Sequence, residues 1–292
     1  MSAIDGSMTN THSTTQSPIR ATILGSGSSG GVPRPGGPDG HGDWGKCDPD
    51  EPRNRRTRCS LLVEKAHEIH GFDPAHVTSI LVDTSPDMRA QLLMAGCTHL
   101  NAVLFTHDHA DQSHGMDDLR AFAIANRKRV PVWTDVDTSG ELLERFSYCF
   151  KQRAGSPYPA ILEQFDIPPS GQTFSIDGPA GAVRVTPFLQ FHGSVNSLGF
   201  RFENIAYSSD VVDFPEESFS ALEGLDVWIV DALQEKPHGS HAHLDKTLEW
   251  IEQVKPKRAI LTNLHISMDY HSLKQRLPGH IEPAYDGLRV LG

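Results

Sequence analysis

The chain has 292 residues, 38% of them hydrophobic, and a net charge of -11 from 26 basic and 37 acidic side chains. That length is enough to bury one sizeable core, and the acidic balance argues against a protein that tracks long nucleic acid. With no apolar span of about 18 residues and no export leader, a cytoplasmic protein without a membrane partner is expected.

Taken in chain order, residues 1–18 are polar and aperiodic and read as a tail, leaving a single domain over residues 19–292. "RATIL" (20–24), "CSLLVE" (59–64), "SILVD" (79–83) and "AVLF" (102–105) read as strands, as do "VRVTPF" (183–188), "LGFRFE" (198–203), "DVWIVD" (226–231) and "RAILT" (258–262). Between them, "SPDMRAQLLMAG", "DDLRAFAIAN", "SGELLERFSYCF", "EESFSALEG" and "LDKTLEWIEQV" carry helical spacing, several opened by Ser or Asp. Strands alternating with helices along the chain predict a layered α/β fold. Residues 127–182, rich in proline and aromatic residues, read as an insertion or lid-like excursion.

The suspicious polar residues all follow strands. His107, His109 and Asp111 come after "AVLF", His192 after "VRVTPFLQF", Asp210 after "IAYSS" and His265 after "RAILTN". A rigid sheet can aim such loop residues at one point. His107 and His109, two apart in an extended loop, point the same way and can grip one cation, and Asp111 continues that face with an oxygen.

"THDHADQ", with His192 in "FHGS", Asp210 in "YSSD" and His265 in "LTNLH", resembles the metallo-β-lactamase-fold hydrolases, and the likeness runs from Ile19 to Gly292. "ILGSGSSGGVP", "ILVDTSPDMRAQLL" and "YDGLRVLG" draw it towards the branch of phosphoribosyl cyclic phosphate phosphodiesterase. The resemblance implies an αββα sandwich with two divalent ions, Zn²⁺ or Mn²⁺, at one edge of the paired sheets. The first ion would sit on His107, His109 and His192, with Asp210 bridging to a second held by Asp111, Asp210 and His265. Family members usually carry a histidine directly after Asp111, where this chain has Gln112. An amide oxygen is a weaker donor than imidazole for zinc, so the second site is expected to be weaker and to favour a harder ion. His114 is no substitute: if a helix starts near Gln112, two residues turn it by about 200°.

The reaction implied is metal-assisted hydrolysis of a small phosphorylated ribose or nucleotide, with Asp111 and His241 as catalytic groups. His241 and His243 precede an amphipathic helix, and the leucine register favours His241 as the group that touches phosphate or protonates the leaving oxygen. Arg55, Arg56 and Arg58 in "NRRTR" read either as a phosphate clamp or as solvated surface. The glycines from Gly25 to Gly31 read either as a phosphate cradle or as a tight turn. Asp83 and Asp231 end strands and either cap a turn or hydrogen-bond a ligand histidine. Cys47, Cys59, Cys97 and Cys149 lack paired spacing, so neither a disulfide framework nor a structural zinc is expected. A thioester or lactone hydrolase, or a non-catalytic metal or nucleotide carrier, shares the fold, and a homodimer is compatible with it.

Overall fold

Two seven-stranded sheets pack face to face, and each has one face on its partner and the other under helices. The computed structural model describes residues 17–292, so the expected tail falls, up to residue 16, outside the described residues. The first half of the chain contributes β1 (Ile19–Gly25), β2 (Ser60–Lys65), β3 (Thr78–Val82), α1 (Met88–Ala95), β4 (Ala102–Leu104), α2 (Ala110–Ser113), α3 (Arg120–Asn126), β5 (Val130–Thr134), α4 (Val136–Arg145), α5 (Ser147–Phe150) and β6 (Leu162–Asp166). The second half contributes β7 (Phe174–Ile176), β8 (Val183–His192), β9 (Val195–Phe202), β10 (Ile205–Ser208), β11 (Val227–Asp231), α6 (Leu244–Val254), β12 (Arg258–Thr262), α7 (Tyr270–Arg276), β13 (Ile281–Pro283) and β14 (Arg289–Leu291). One sheet runs β14-β1-β2-β3-β4-β5-β6 and the other β13-β12-β11-β10-β9-β8-β7.

Side chains alternate across a strand, and here both sides are covered. Ile80 and Val82 of β3 face the inter-sheet core, where they join Val185, Phe200, Tyr207 and Ile229. Leu81, between them, faces outwards and packs with Met88 and Leu92 of α1. In the second sheet Ile229 points inwards, while Trp228 and Val230 pack under Trp250 and Ile251 of α6. Strands buried on both faces read as continuous apolar runs, which is why "SILV" and "VWIV" are recognisable. The αββα expectation holds.

Three local expectations change. Residues 127–182 are no separate excursion, because β5 and β6 extend the first sheet in parallel from β4 and β7 closes the edge of the second. These strands are short, and the burial of β6 alternates weakly, so they lack the double-sided apolar signal. "EESFSALEG" forms only a 3-10 turn over Glu216–Leu222. "VRVTPF" begins β8 and "LGFRFE" ends β9, longer strands that form a hairpin closing at His192 and Val195. Among the described residues no helix is long and apolar enough to cross a membrane.

The parallel stretches position the site. β3, β4 and β5 run together in one sheet, and β10, β11 and β12 in the other. Their carboxyl ends therefore emerge at common edges, where loops carry function.

A carboxylate in the loop before β14 ties that edge to the first strand. Asp286 accepts from Ser26 N (2.9 Å), Ser26 Oγ (2.8 Å), Thr57 N (2.7 Å) and Thr57 Oγ1 (2.6 Å). Asp286→Ala removes the acceptor for all four, and urea unfolding should register a loss of roughly 2 to 4 kcal/mol. A midpoint equal to wild type would contradict this role.

Candidate active site

The loop after β4 is aimed by a buried carboxylate. Asp83, just past β3, takes φ +63°, a left-handed conformation that Asp tolerates better than most residues. Its carboxylate accepts from Thr106 N (2.8 Å) and Thr106 Oγ1 (2.9 Å), and that hydroxyl lies 2.9 Å from His107 Nδ1. With its hydrogen on Asp83, the hydroxyl accepts from Nδ1–H, which leaves the His107 Nε2 lone pair free. That Nε2 is buried with no hydrogen-bond partner. Burial pushes the imidazole down to about 4, so it is neutral, as a metal ligand must be. Asp83 thus acts on His107 through Thr106 and does not touch it. On the outer side Arg145 holds the loop by donating to the Asp108 carbonyl (2.6 Å) and pairing with its carboxylate.

His192, the last residue of β8, is fixed in the same way: its Nδ1 lies 2.6 Å from the Ser240 carbonyl, so Nε2 is again free. The rings of His107, His109 and His192 are 4.4 to 5.1 Å apart, and one nitrogen of each lies within 4.8 Å of the other two. Asp210 joins them from the end of β10, also in the left-handed region (φ +53°), with Oδ1 4.0 Å from His192 Nε2. Three imidazoles and a carboxylate, with an orphaned buried nitrogen among them, suit a divalent ion of the zinc or manganese kind.

Around this cluster lies a second group. His241 Nδ1 is 2.8 Å from Asp231 Oδ2 and 4.0 Å from Asp210 Oδ1, and its ring is 4.7 Å from that of His192. Burial lowers the His241 pKa, but the charge and hydrogen bond of Asp231, with Asp210 and Asp111, outweigh it and lift the imidazole to about 9. Burial and the neighbouring Asp210 raise Asp111 to about 6. Burial opposes ionisation of Asp210 itself, yet His107, His241 and His192 hold it below the usual carboxylate range. Gln112, fully buried on α2, donates from Nε2 to Asp210 Oδ2 at 3.0 Å.

Other expected residues lie elsewhere. His265 turns its Nδ1 to Ser267, 2.9 Å from Oγ and 3.2 Å from N, and joins neither ligand group. The residue that reaches Asp210 from the end of β12 is Asn263, at φ +60°, with Nδ2 3.5 Å from Asp210 Oδ1 and 3.3 Å from Asp231 Oδ2. It was legible in one respect: it follows its strand directly, as Asp83 follows β3. His243 is the N-cap residue of α6 and joins neither group, while His114 packs on Phe146, 5.8 Å away, as its rotation around the helix predicts.

The arginines do not form a clamp. Arg55 stacks on Trp44 at 4.9 Å, Arg56 is buried against Asn54 Oδ1 at 3.0 Å, and Arg58 pairs with Asp87 at 3.0 Å. Each has its own partner, so the run disperses. The early glycines serve close approach: a Cβ on Gly25 would lie 1.9 Å from the Arg58 carbonyl oxygen.

The beta-lactamase superfamily domain matches residues 78–266, and the chain belongs to that family. A curated relative, an octanoyltransferase of Porphyromonas gingivalis, is 29% identical over 281 residues, 94% of this chain and 51% of the relative. The chain thus spans about half the length of that relative. A crystal structure described as a new diphosphatase from the PhnP family superposes with a TM-score of 0.80 at 29% identity, covering 94% of this chain and 97% of the other. Zn²⁺-bound PqqB from Methylobacterium extorquens shares the fold, with a TM-score of 0.67 at 17% identity over 93% and 99% of the two chains.

Thr106→Val keeps the shape of the side chain but removes the hydroxyl between Asp83 and His107. Divalent-ion affinity, read by competition with a chromophoric chelator, should fall roughly 10- to 100-fold. Affinity equal to wild type would rule out the relay.

Proposed function

We propose that this chain is a metal-dependent phosphodiesterase whose substrate is a small phosphorylated ribose or nucleotide, carrying a cyclic phosphate or a phosphodiester. The observation that carries this reading is the His241 imidazole, seated on Asp231 at 2.8 Å beside Asp210 and the three-histidine cluster. Ester cleavage leaves an alkoxide that must be protonated. With its Nδ1 engaged by Asp231, His241 offers the proton from Nε2, and a pKa of about 9 keeps it charged at neutral pH.

His107, His109, His192 and Asp210 would hold a divalent ion, which supplies Lewis acidity towards a phosphoryl oxygen and an acidified water. Asp111, raised to about 6, is suited to hold the proton given up by an attacking water. Because Arg56 and Arg58 are engaged elsewhere, phosphate charge would be met by the ion and by His241, with His238 5.3 Å further out. The PhnP-family diphosphatase, at 29% identity over nearly the whole chain, supports phosphoryl chemistry. The net charge of -11 favours a small substrate over long RNA.

The octanoyltransferase name points to acyl transfer. It belongs to a protein of about twice this length. A thiol nucleophile in this chain finds little support: Cys59, the cysteine under the influence of Asp210, is fully buried, and burial followed by the Asp210 charge pushes its thiol well above the ordinary range.

The metal-loaded protein should hydrolyse bis(p-nitrophenyl) phosphate and a cyclic ribose phosphate faster than an acyl thioester or a lactone. Asp210→Ala should lower the phosphodiester rate by at least about 10²- to 10³-fold, and thioester as the faster substrate would contradict the reading. Deprotonation of His241 removes the acid, so kcat/KM should fall as pH rises through about 9. Asp231→Asn removes the charge that raises His241 and should move that limb to lower pH; an unmoved limb would exclude His241 as the acid.

A further inference from the structure

The resemblance in sequence leads to a pair of ions bridged by Asp210. The side chains around Asp210 describe something else. We infer that this chain holds one divalent ion, on His107, His109, His192 and Asp210, and that the amides of Gln112 and Asn263 take the ground a second ion would need. The inference rests on the metal-hydrolase reading in treating the four-residue cluster as a metal site.

A second ion bridged by Asp210 must share its carboxylate. Oδ2 already accepts from Gln112 Nε2 at 3.0 Å, and Oδ1 has Asn263 Nδ2 at 3.5 Å. Amide N–H groups present partial positive charge to that carboxylate, so they do for it what a cation would do and repel one that approaches. The Asn263 amide is anchored further by Asp231 Oδ2 at 3.3 Å and lies 3.2 Å from His241 Nδ1. Both amide residues are buried, at 0% and 1% exposure, so neither swings into solvent to make room.

The remaining donors do not make up a second set. His265, whose Nδ1 lies on Ser267 and leaves Nε2 free, still joins neither group of converging donors. His192, Asp210 and His241 do converge within 4.8 Å, but they offer no independent site. His192 has only Nε2 free, and that nitrogen belongs to the first cluster; His241 would have to give up Asp231, 2.8 Å from its Nδ1. What is left is Asp111 and the buried Gln112 Oε1, which has no donor. One unshared carboxylate and one neutral oxygen fall short of the coordination that hard divalent ions take.

Two positions therefore decide the metal count, and both can accept histidine. Gln112 lies on a helical turn, and Asn263 takes φ +60°, a region where histidine is enriched among non-glycine residues. The test is to saturate the purified protein with Zn²⁺ or Mn²⁺, remove free ion by gel filtration and count metal by mass spectrometry against protein concentration.

Wild type should retain one equivalent, and Gln112→His combined with Asn263→His should retain two. Two equivalents retained by wild type would overturn the inference without any variant. Wild type at one and a folded double variant also at one would show that the amides are not what excludes the second ion, which equally overturns it. Because metal is counted apart from turnover, the outcomes separate. One retained ion with no phosphodiester hydrolysis sinks the proposed activity and leaves the inference standing, and two ions with active hydrolysis do the reverse.

Discussion

A carboxylate buried to 2% exposure, Asp210, is the constraint on which the rest of the site depends. An ionised group taken out of water is expensive unless it is paired and hydrogen-bonded. The fold answers from every side. His107 arrives from the first sheet, His192 from the β8 end, His241 from the loop before α6, Gln112 from α2 and Asn263 from β12. Two sheets packed on a shared apolar core are joined at this edge by charge as well. The same demand explains why burial does not neutralise Asp210: the surrounding imidazoles keep its proton off.

Backbone conformation supplies the aim. Asp83, Asp210 and Asn263 each stand just beyond a strand, and all three take positive φ values of 53° to 63°. Asn and Asp enter that region more readily than most residues, and strain of this sort gathers at working sites. Asp83 then fixes Thr106 and through it His107; Asp231, at the end of β11, fixes His241. Two carboxylates therefore act on two histidines with opposite results. One imidazole is buried neutral with its nitrogen bare, and the other is held charged.

Much of this was legible in sequence, for identifiable reasons. Strands covered on both faces show as unbroken apolar runs, and the His107, His109, His192 and Asp210 positions stand at the ends of such runs. β5 and the edge strands β6 and β7 show weakly because they are short and one-sided. Histidine is the more familiar ligand and draws the eye to His265, while Asn263 carries no signal by residue type; yet β12 ends at Thr262, and the side chain directly after the strand is the one that lies beside Asp210. The run of Arg55, Arg56 and Arg58 is compatible in sequence with either a phosphate clamp or solvated surface, and what decides against a clamp is that each has its own partner in the fold. Gln112 was recognised as a departure, but not that its amide nitrogen, as well as its oxygen, meets the site.

The central claim is that Asp210 completes a single-ion site together with three imidazoles and is flanked by amides on its other side. Anomalous diffraction from a crystal of the Mn²⁺- or Zn²⁺-loaded protein, collected on both sides of the metal absorption edge, tests it most directly. The account predicts one anomalous peak, within bonding distance of His107 Nε2, His109, His192 and Asp210, with Gln112 and Asn263 still hydrogen-bonded to the carboxylate. A second peak of comparable height between Asp111 and Asp210 would contradict it.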